Sequence, residues 1–273
     1  MVVTVDLRLY LRAKTVRRLN RHRSPERHIR FCSKNRLAQS ILEDLRPLLP
    51  SGWKIYVQFD SWYASEELIN YVRRQGWHVT CGLKHNRKLN GQRIDQIAYA
   101  LRHKHYLHIQ VTAADGNKTR YYVRQTTGHL QKVPDEVRVL FTRRHPREKS
   151  PAYFMSTDLT RSAQQALQGY SGRWSCETLN LYLKTQLGLA DFRVQSYQAV
   201  DKYLVVVLLT WAYVERRYEL ERSAQIQTYG DLIRRHRDEH ALDWLTSALH
   251  MMQATGDMQQ VLQHYLRLES LPT

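Results

Sequence analysis

The chain has 273 residues, with 42 Lys plus Arg against 25 Asp plus Glu and a formal charge of +17. Such an imbalance works against compaction and is expected of a chain that meets an anionic polymer or surface, nucleic acid first; a hydrophobic content of 42% still allows a real core. Cys32, Cys81 and Cys176 are too far apart for a paired zinc spacing or a disulfide framework, no signal peptide opens the chain, and the longest apolar run, around Leu204 to Val214, is too short for a bilayer, so a reducing cytosol is the expected setting.

Residues 2–11 (VVTVDLRLYL) alternate as one strand should. From Arg8 to Arg36 there are then eleven Lys or Arg and one acid, Glu26, with few apolar residues between them. That stretch reads as a basic loop or arm, either tracking a duplex or remaining a solvated tail. Ser33 is placed to cap a helix over Lys34 to Leu48, with Leu37, Ile41, Leu42 and Leu45 on one face. Lys54 to Phe59 is a short apolar run ending on Asp60, the pattern of a buried strand with a carboxylate at its tip.

Ser65 is placed to cap the next helix, with Glu66 and Glu67 where the helix dipole favours them and Gly76 as the stop. Trp77 to Leu83 is a further strand, so the order so far predicts an α/β arrangement with parallel neighbours. Lys84, Arg87 and Lys88 follow it and suit a phosphate contact or a wet loop equally. From Tyr106 the texture changes: Tyr106 to Ala113 and Lys118 to Gln125 alternate around Asp115-Gly116, a hairpin signal, and Val137 to Thr142 and Ala152 to Ser156 read as two more strands. His103, His105 and His108 lack a nearby carboxylate or thiol and read as surface residues rather than a metal cluster. After Thr160 the pattern is helical, and Pro272 is the first proline beyond it.

Tyr170, Arg173, Glu177 and Lys184 fall within about a 60° arc if one unbroken helix carries them. A phenol, a guanidinium, a carboxylate and an ammonium would then share one face, although Gly169 and Gly172 weaken the Tyr170 end. By spacing alone, Arg-x-x-x-Glu is equally an ordinary solvated helix pair.

The surrounding text, Tyr170-Ser-Gly-Arg173-Trp174-Ser-Cys-Glu177 followed by Lys184 and Leu187-Gly188-Leu189, resembles the Y-x2-R-x3-E-x6-K signature of bacterial insertion-sequence DDE transposases. Asp60-Ser-Trp62-Tyr63 resembles the second catalytic motif of that family, which often has a small residue where this chain has Trp62. The likeness extends roughly from Val2 to Gln195. It implies an RNase H-like, retroviral-integrase-type core with a β-rich insertion and a helical C-terminal tail. It also implies Asp60 and Glu177 as catalytic carboxylates and metal ligands, and Tyr170, Arg173 and Lys184 as contacts to the DNA backbone. Hard divalent ions, Mg²⁺ or Mn²⁺, suit such carboxylates, and two of them can stabilise attacking and leaving oxygens together.

The family's first aspartate has no clear match. Asp6 is the only candidate before the first helix, and the 27 residues between it and Lys34 do not accommodate the two further strands that the fold requires. The text around Leu7 to Arg12 looks instead like the family's third strand. The expectation is therefore an incomplete core, truncated at its N-terminus, with Asp6 a strand-edge residue and only a weak third ligand. The expected layout is 1–90 partial core, 91–158 strand insertion, 159–190 signature helix, and 191–273 helical region. The implied function is DNA cleavage and strand transfer in transposition of an insertion sequence, by a catalytically impaired copy. The alternative is a DNA-binding fragment that inhibits the full-length enzyme. The implied partners are transposon-end and target DNA and further copies, or full-length transposase in mixed oligomers, at the bacterial nucleoid in the cytoplasm and without a membrane.

Overall fold

The structure, a computed structural model, describes residues 4–112, 116, 118–189, 191, 193 and 196–266. They divide into two compact units, one of residues 8–178 and one in which residues 4–7 join those from 179 onward.

The first unit begins with α1 (Ala13–Asn20) and α2 (Lys34–Leu45), then β1 (Tyr56–Phe59), α3 (Glu66–Arg74) and β2 (His78–Leu83). A short hairpin of β3 (Lys88–Leu89) and β4 (Gln92–Arg93) leads into α4 (Ile94–Ala100). β5 (Leu107–Thr112), β6 (Lys118–His129), β7 (Glu136–Arg143), β8 (Ala152–Ser156) and α5 (Ala163–Ser171) follow, and α6 (Trp174–Thr185) contains the boundary. Six strands make one sheet in the order β1-β2-β8-β7-β6-β5. Only β1 and β2 are parallel, as the crossover through α3 requires; the rest pair antiparallel. The expected insertion strands thus lie in the same sheet as β1 and β2.

α3 forms where its sequence says it should. The Ser65 hydroxyl accepts the Leu68 N–H at 3.2 Å, Glu66 and Glu67 lie in the first turn, and Gly76 closes the end at a φ of 79°. Its buried Leu68, Ile69 and Val72 pack with Phe59 of β1, Val79 and Cys81 of β2, Val137, Val139 and Phe141 of β7, and Met155 of β8. Burial of each such α3 side chain stabilises by about 1.5–3 kcal/mol. On the other face, Ile109, Val111, Val123 and Leu140 take Ala163, Ala166 and Leu167 of α5. Alternation along the strands therefore puts α3 on one side of the sheet and α5 on the other.

Three expectations change. Residues 4–12 belong to no strand or helix. Leu7 packs instead into the helical unit's core. The basic arm is a loop only in part: Ala13–Asn20 folds as α1, with Val16 buried, and a 3-10 turn follows at Pro25–Arg27. The signature segment is not one continuous helix, because a turn at Gly172 and Arg173 separates α5 from α6. β5 and β6 pair as a hairpin with Thr112 opposite Lys118; of the expected turn residues, Gly116 has a φ of 83°, while Asp115 lies outside the described residues.

The second unit holds α7 (Tyr197–Glu221), α8 (Tyr229–Thr255) and α9 (Met258–Leu266). Leu183, Val207, Trp211, Val214, Ile226 and Leu232 form its core. The buried Glu215 carboxylate is satisfied there: Trp211 Nε1 donates to it at 2.7 Å, and the Thr4 N–H and hydroxyl donate at 3.1 and 2.8 Å. No helix among the described residues is long and apolar enough to cross a membrane.

Candidate active site

Asp60 follows the last residue of β1, and its turn is built by its own side chain. Oδ1 accepts the backbone N–H groups of Trp62 at 2.8 Å and Tyr63 at 3.2 Å. This local bonding is what a short carboxylate does best where a chain leaves a strand. The second oxygen makes no hydrogen bond or ion pair with the described residues, and the side chain is only half-buried.

α5 reaches the same end of the sheet from the other face. A Cβ on Gly82 of β2 would lie 3.1 Å from the Ser61 N and 3.5 Å from the Tyr170 hydroxyl oxygen, so the Asp60 turn and the Tyr170 phenol both lie against this glycine, and it is the turn that a side chain there would crowd. Burial raises the Tyr170 pKa; the Arg173 charge opposes that rise, and Asp60 adds to it. Tyr63 is raised likewise, by burial and then by Asp60.

Arg173 sits in the turn between α5 and α6. Its Nη2 donates to Glu177 Oε1 at 2.7 Å, while its Nε is buried without a partner among the described residues. Burial works against the Arg173 charge, but Glu177 and Tyr170 more than offset that, and its pKa rises. Asp60, Tyr170, Arg173 and Glu177 thus form a linked series, with the Tyr170 phenol feeling both Asp60 and Arg173. Glu177 is 43% exposed, so its pairing with Arg173 is worth little as a stabilising contact. Lys184 is exposed two turns further along α6 and falls in the helical unit. Asp6 also falls in the helical unit, two residues after the Thr4 that bonds Glu215.

The sequence model of the transposase DDE domain matches residues 32–213, well over half of the chain and the whole span from α2 into α7. The chain belongs to the DDE transposase family. No curated relative matches it. The family is one of metal-dependent, nuclease-type enzymes that act on DNA.

Two carboxylates of this transposase domain, Asp60 with an open oxygen and Glu177, offer the hard oxygen donors that a divalent cation takes. The donor chemistry therefore fits such an ion, with water to complete its shell. A grouping of three or more His, Cys, Asp or Glu side chains suited to a metal does not occur among the described residues.

One charged group of the domain is not singled out by the sequence pattern. Asp158, 2% exposed just past β8, pairs with Lys54 at 2.7 Å and accepts the hydroxyls of Tyr56 and Thr160, each at 2.6 Å. Burial pushes its pKa up, but Lys54, Thr160 and Tyr56 together hold it well below the usual carboxylate range. The polar run Ser156-Thr157-Asp158 directly after an apolar strand is its only trace in the sequence. It ties the end of β8 to the start of β1, two residues before Gln58 and four before Asp60, and so braces the strand that carries the candidate carboxylate.

Proposed function

We propose that this chain works on transposon-end and target DNA, with Asp60 and Glu177 as two carboxylates of an RNase H-like metal site and Tyr170, Arg173 and Lys184 as contacts to the phosphate backbone. The reading rests on one observation: the series Asp60, Tyr170, Arg173, Glu177, in which Arg173 keeps a buried, unpartnered N–H donor. An unsatisfied guanidinium donor beside the Glu177 carboxylate suits a phosphate oxygen, which would accept it with charge assistance. On this reading 1–90 and 159–190 contribute the core, 91–158 is its β-rich insertion and 191–273 its helical tail.

The chemistry is in-line displacement at phosphorus. Asp60 and Glu177 would hold Mg²⁺, or Mn²⁺ in its place, which when bound neutralises charge on the attacking and leaving oxygens. Arg173 would anchor the phosphate and hold Glu177 in place. The Tyr170 hydroxyl, kept protonated by burial, would donate to a neighbouring phosphate oxygen. Lys184 would supply a point charge further along the backbone.

The test is local peptide scission by Fe²⁺ bound in place of Mg²⁺. With peroxide and ascorbate, breaks are expected near Asp60 and Glu177, and Asp60→Asn or Glu177→Gln should remove them. Scission elsewhere, or scission that both variants leave unchanged, overturns the shared site.

A second reading comes from the donor count: among the described residues no third His, Cys, Asp or Glu groups with Asp60 and Glu177. A third carboxylate would then come from another segment or chain. β1 stands at the edge of its sheet, and an edge strand is a place where a further strand can add. On its own the chain would be catalytically impaired. It would act as a DNA-binding partner that assembles with itself or with full-length transposase and inhibits it.

A further inference from the structure

We propose that Trp62, with Lys34 and Tyr10, forms a stacking platform for one unpaired DNA base next to Asp60; this rests on the DNA reading above and names what that end of the site holds. Three separate segments build it. Trp62 follows β1 by three residues, Lys34 is the first residue of α2, and Tyr10 lies in the segment before α1.

Trp62 is fixed relative to the carboxylate, since its backbone N–H donates to Asp60 Oδ1 at 2.8 Å. The residue is nonetheless 53% exposed. The neighbouring Tyr63 ring meets it edge-on, with centroids 5.0 Å apart and planes at 70°. Such a contact orients the indole without covering both of its faces. The Lys34 ammonium lies 4.4 Å from the Trp62 ring centroid and 5.1 Å from that of Tyr10, a residue itself 37% exposed.

Lys34 makes no ion pair or hydrogen bond among the described residues, so its charge rests on two aromatic faces alone. A cation–π contact at an exposed site is worth only about 0.5–1 kcal/mol, which leaves the ammonium easy to redirect to a phosphate. A large exposed indole, a second exposed ring and an uncommitted cation are the parts from which single-strand platforms are made: base on ring, phosphate on ammonium.

Bases stacked within a duplex present edges rather than faces. The ligand class is therefore a single-stranded or unstacked nucleotide, the state of a base adjoining a phosphodiester being cut or joined. Trp62 is a positioning residue in this account, since it sets where the strand lies and not how the bond breaks.

The experiment compares binding of a 16-nucleotide oligothymidylate and a 16-base-pair duplex to the full chain, its Trp62→Ala and Trp62→Phe variants, and Lys34→Met. Trp62→Ala should weaken oligothymidylate binding by about 10-fold, in the range measured for loss of one stacked base, and change duplex binding by less than about 2-fold. Trp62→Phe should restore most of the loss, and Lys34→Met should weaken the single strand more than the duplex. Equal losses on both probes, no loss on either, or failure of Phe to rescue overturns the platform. If Trp62→Ala is silent while Asp60→Asn still abolishes Fe²⁺ scission, the platform fails and the metal-site reading stands. If the unaltered chain binds neither probe, both fail together.

Discussion

A Cβ on Gly82 would come within 3.1 Å of the Ser61 backbone nitrogen and 3.5 Å of the Tyr170 hydroxyl oxygen. The first distance is tighter than backbone tolerates without moving, whereas the second is ordinary contact. Gly82→Val, which adds two methyl groups beyond that Cβ, should therefore displace the Asp60 turn and cost about 1–3 kcal/mol, the usual range for overpacking. Urea denaturation checks the stability, and loss of the Fe²⁺ scission pattern checks the site. A variant of wild-type stability with an unaltered pattern would show that Gly82 has room to spare.

Asp158 should matter to the fold in a pH-dependent way. Asp158→Asn removes the charge paired with Lys54 but keeps a group that can accept from Tyr56 or Thr160. A loss of about 2–3 kcal/mol is expected near neutral pH, as for a buried hydrogen bond to a charged group. The sign follows from the depressed pKa of the folded state. The contribution is fully present above the unfolded value and is lost as the pH falls below about 4. Denaturation midpoints of the two proteins should therefore converge as the medium is acidified from neutrality towards pH 3. A gap that stays constant would place the cost of the substitution in packing.

Lys14, Arg17, Arg18 and Arg21 are exposed at helical spacing along α1 and its C-cap, and none makes an ion pair among the described residues. Replacing all four with Gln should weaken duplex binding at low salt. It should also flatten the dependence of log K on log salt by about 0.9 for each phosphate that is no longer neutralised. Arg173→Ala with Lys184→Ala should lower the slope further, by about one for each of the two cations. Fluorescence anisotropy at several salt concentrations reads both, and an unchanged slope removes α1 from the DNA-binding surface.

What the sequence disclosed was local. Ser65, Glu66, Glu67 and Gly76 are the start and stop signals of α3, and the alternation on either side of Gly116 marks the β5–β6 hairpin, because capping and pleat are decided by near neighbours. α1 is obscured because Val16 is its only buried residue, so charge dominates the pattern. Residues 4–12 alternate like a strand, yet alternation says nothing about whether a partner strand exists. The break at Gly172 and Arg173 lies where two glycines already weaken the helical pattern, and spacing alone does not locate it. The meeting of Lys34 with Trp62, and of Lys54 with Asp158, joins residues far apart in the chain and leaves no local mark. The four signature residues are legible as text, but the close approach of the Ser61 backbone to Gly82, beside Tyr170, is not.

Catalysis by the isolated chain should fail for want of a carboxylate. No grouping of three or more His, Cys, Asp or Glu suited to a metal occurs among the described residues, so the proposed site has Asp60 and Glu177 as its two carboxylates. Mg²⁺ accepts water in place of a missing ligand, so ion binding by this pair should survive. Positioning should not, because phosphoryl transfer is catalysed almost wholly by alignment and charge neutralisation. With Mg²⁺ or Mn²⁺, the isolated chain should therefore bind a duplex carrying the element end without cleaving it. Adding a segment that pairs with the open edge of β1 and bears an aspartate should restore cleavage, and Asp60→Asn or Glu177→Gln should abolish the restored activity. The decisive contrary result is cleavage by the chain alone that disappears in Asp6→Ala. That would make Asp6 the third ligand. Cleavage by the chain alone that survives Asp6→Ala would instead show that two carboxylates and water suffice, and the impaired reading would fall.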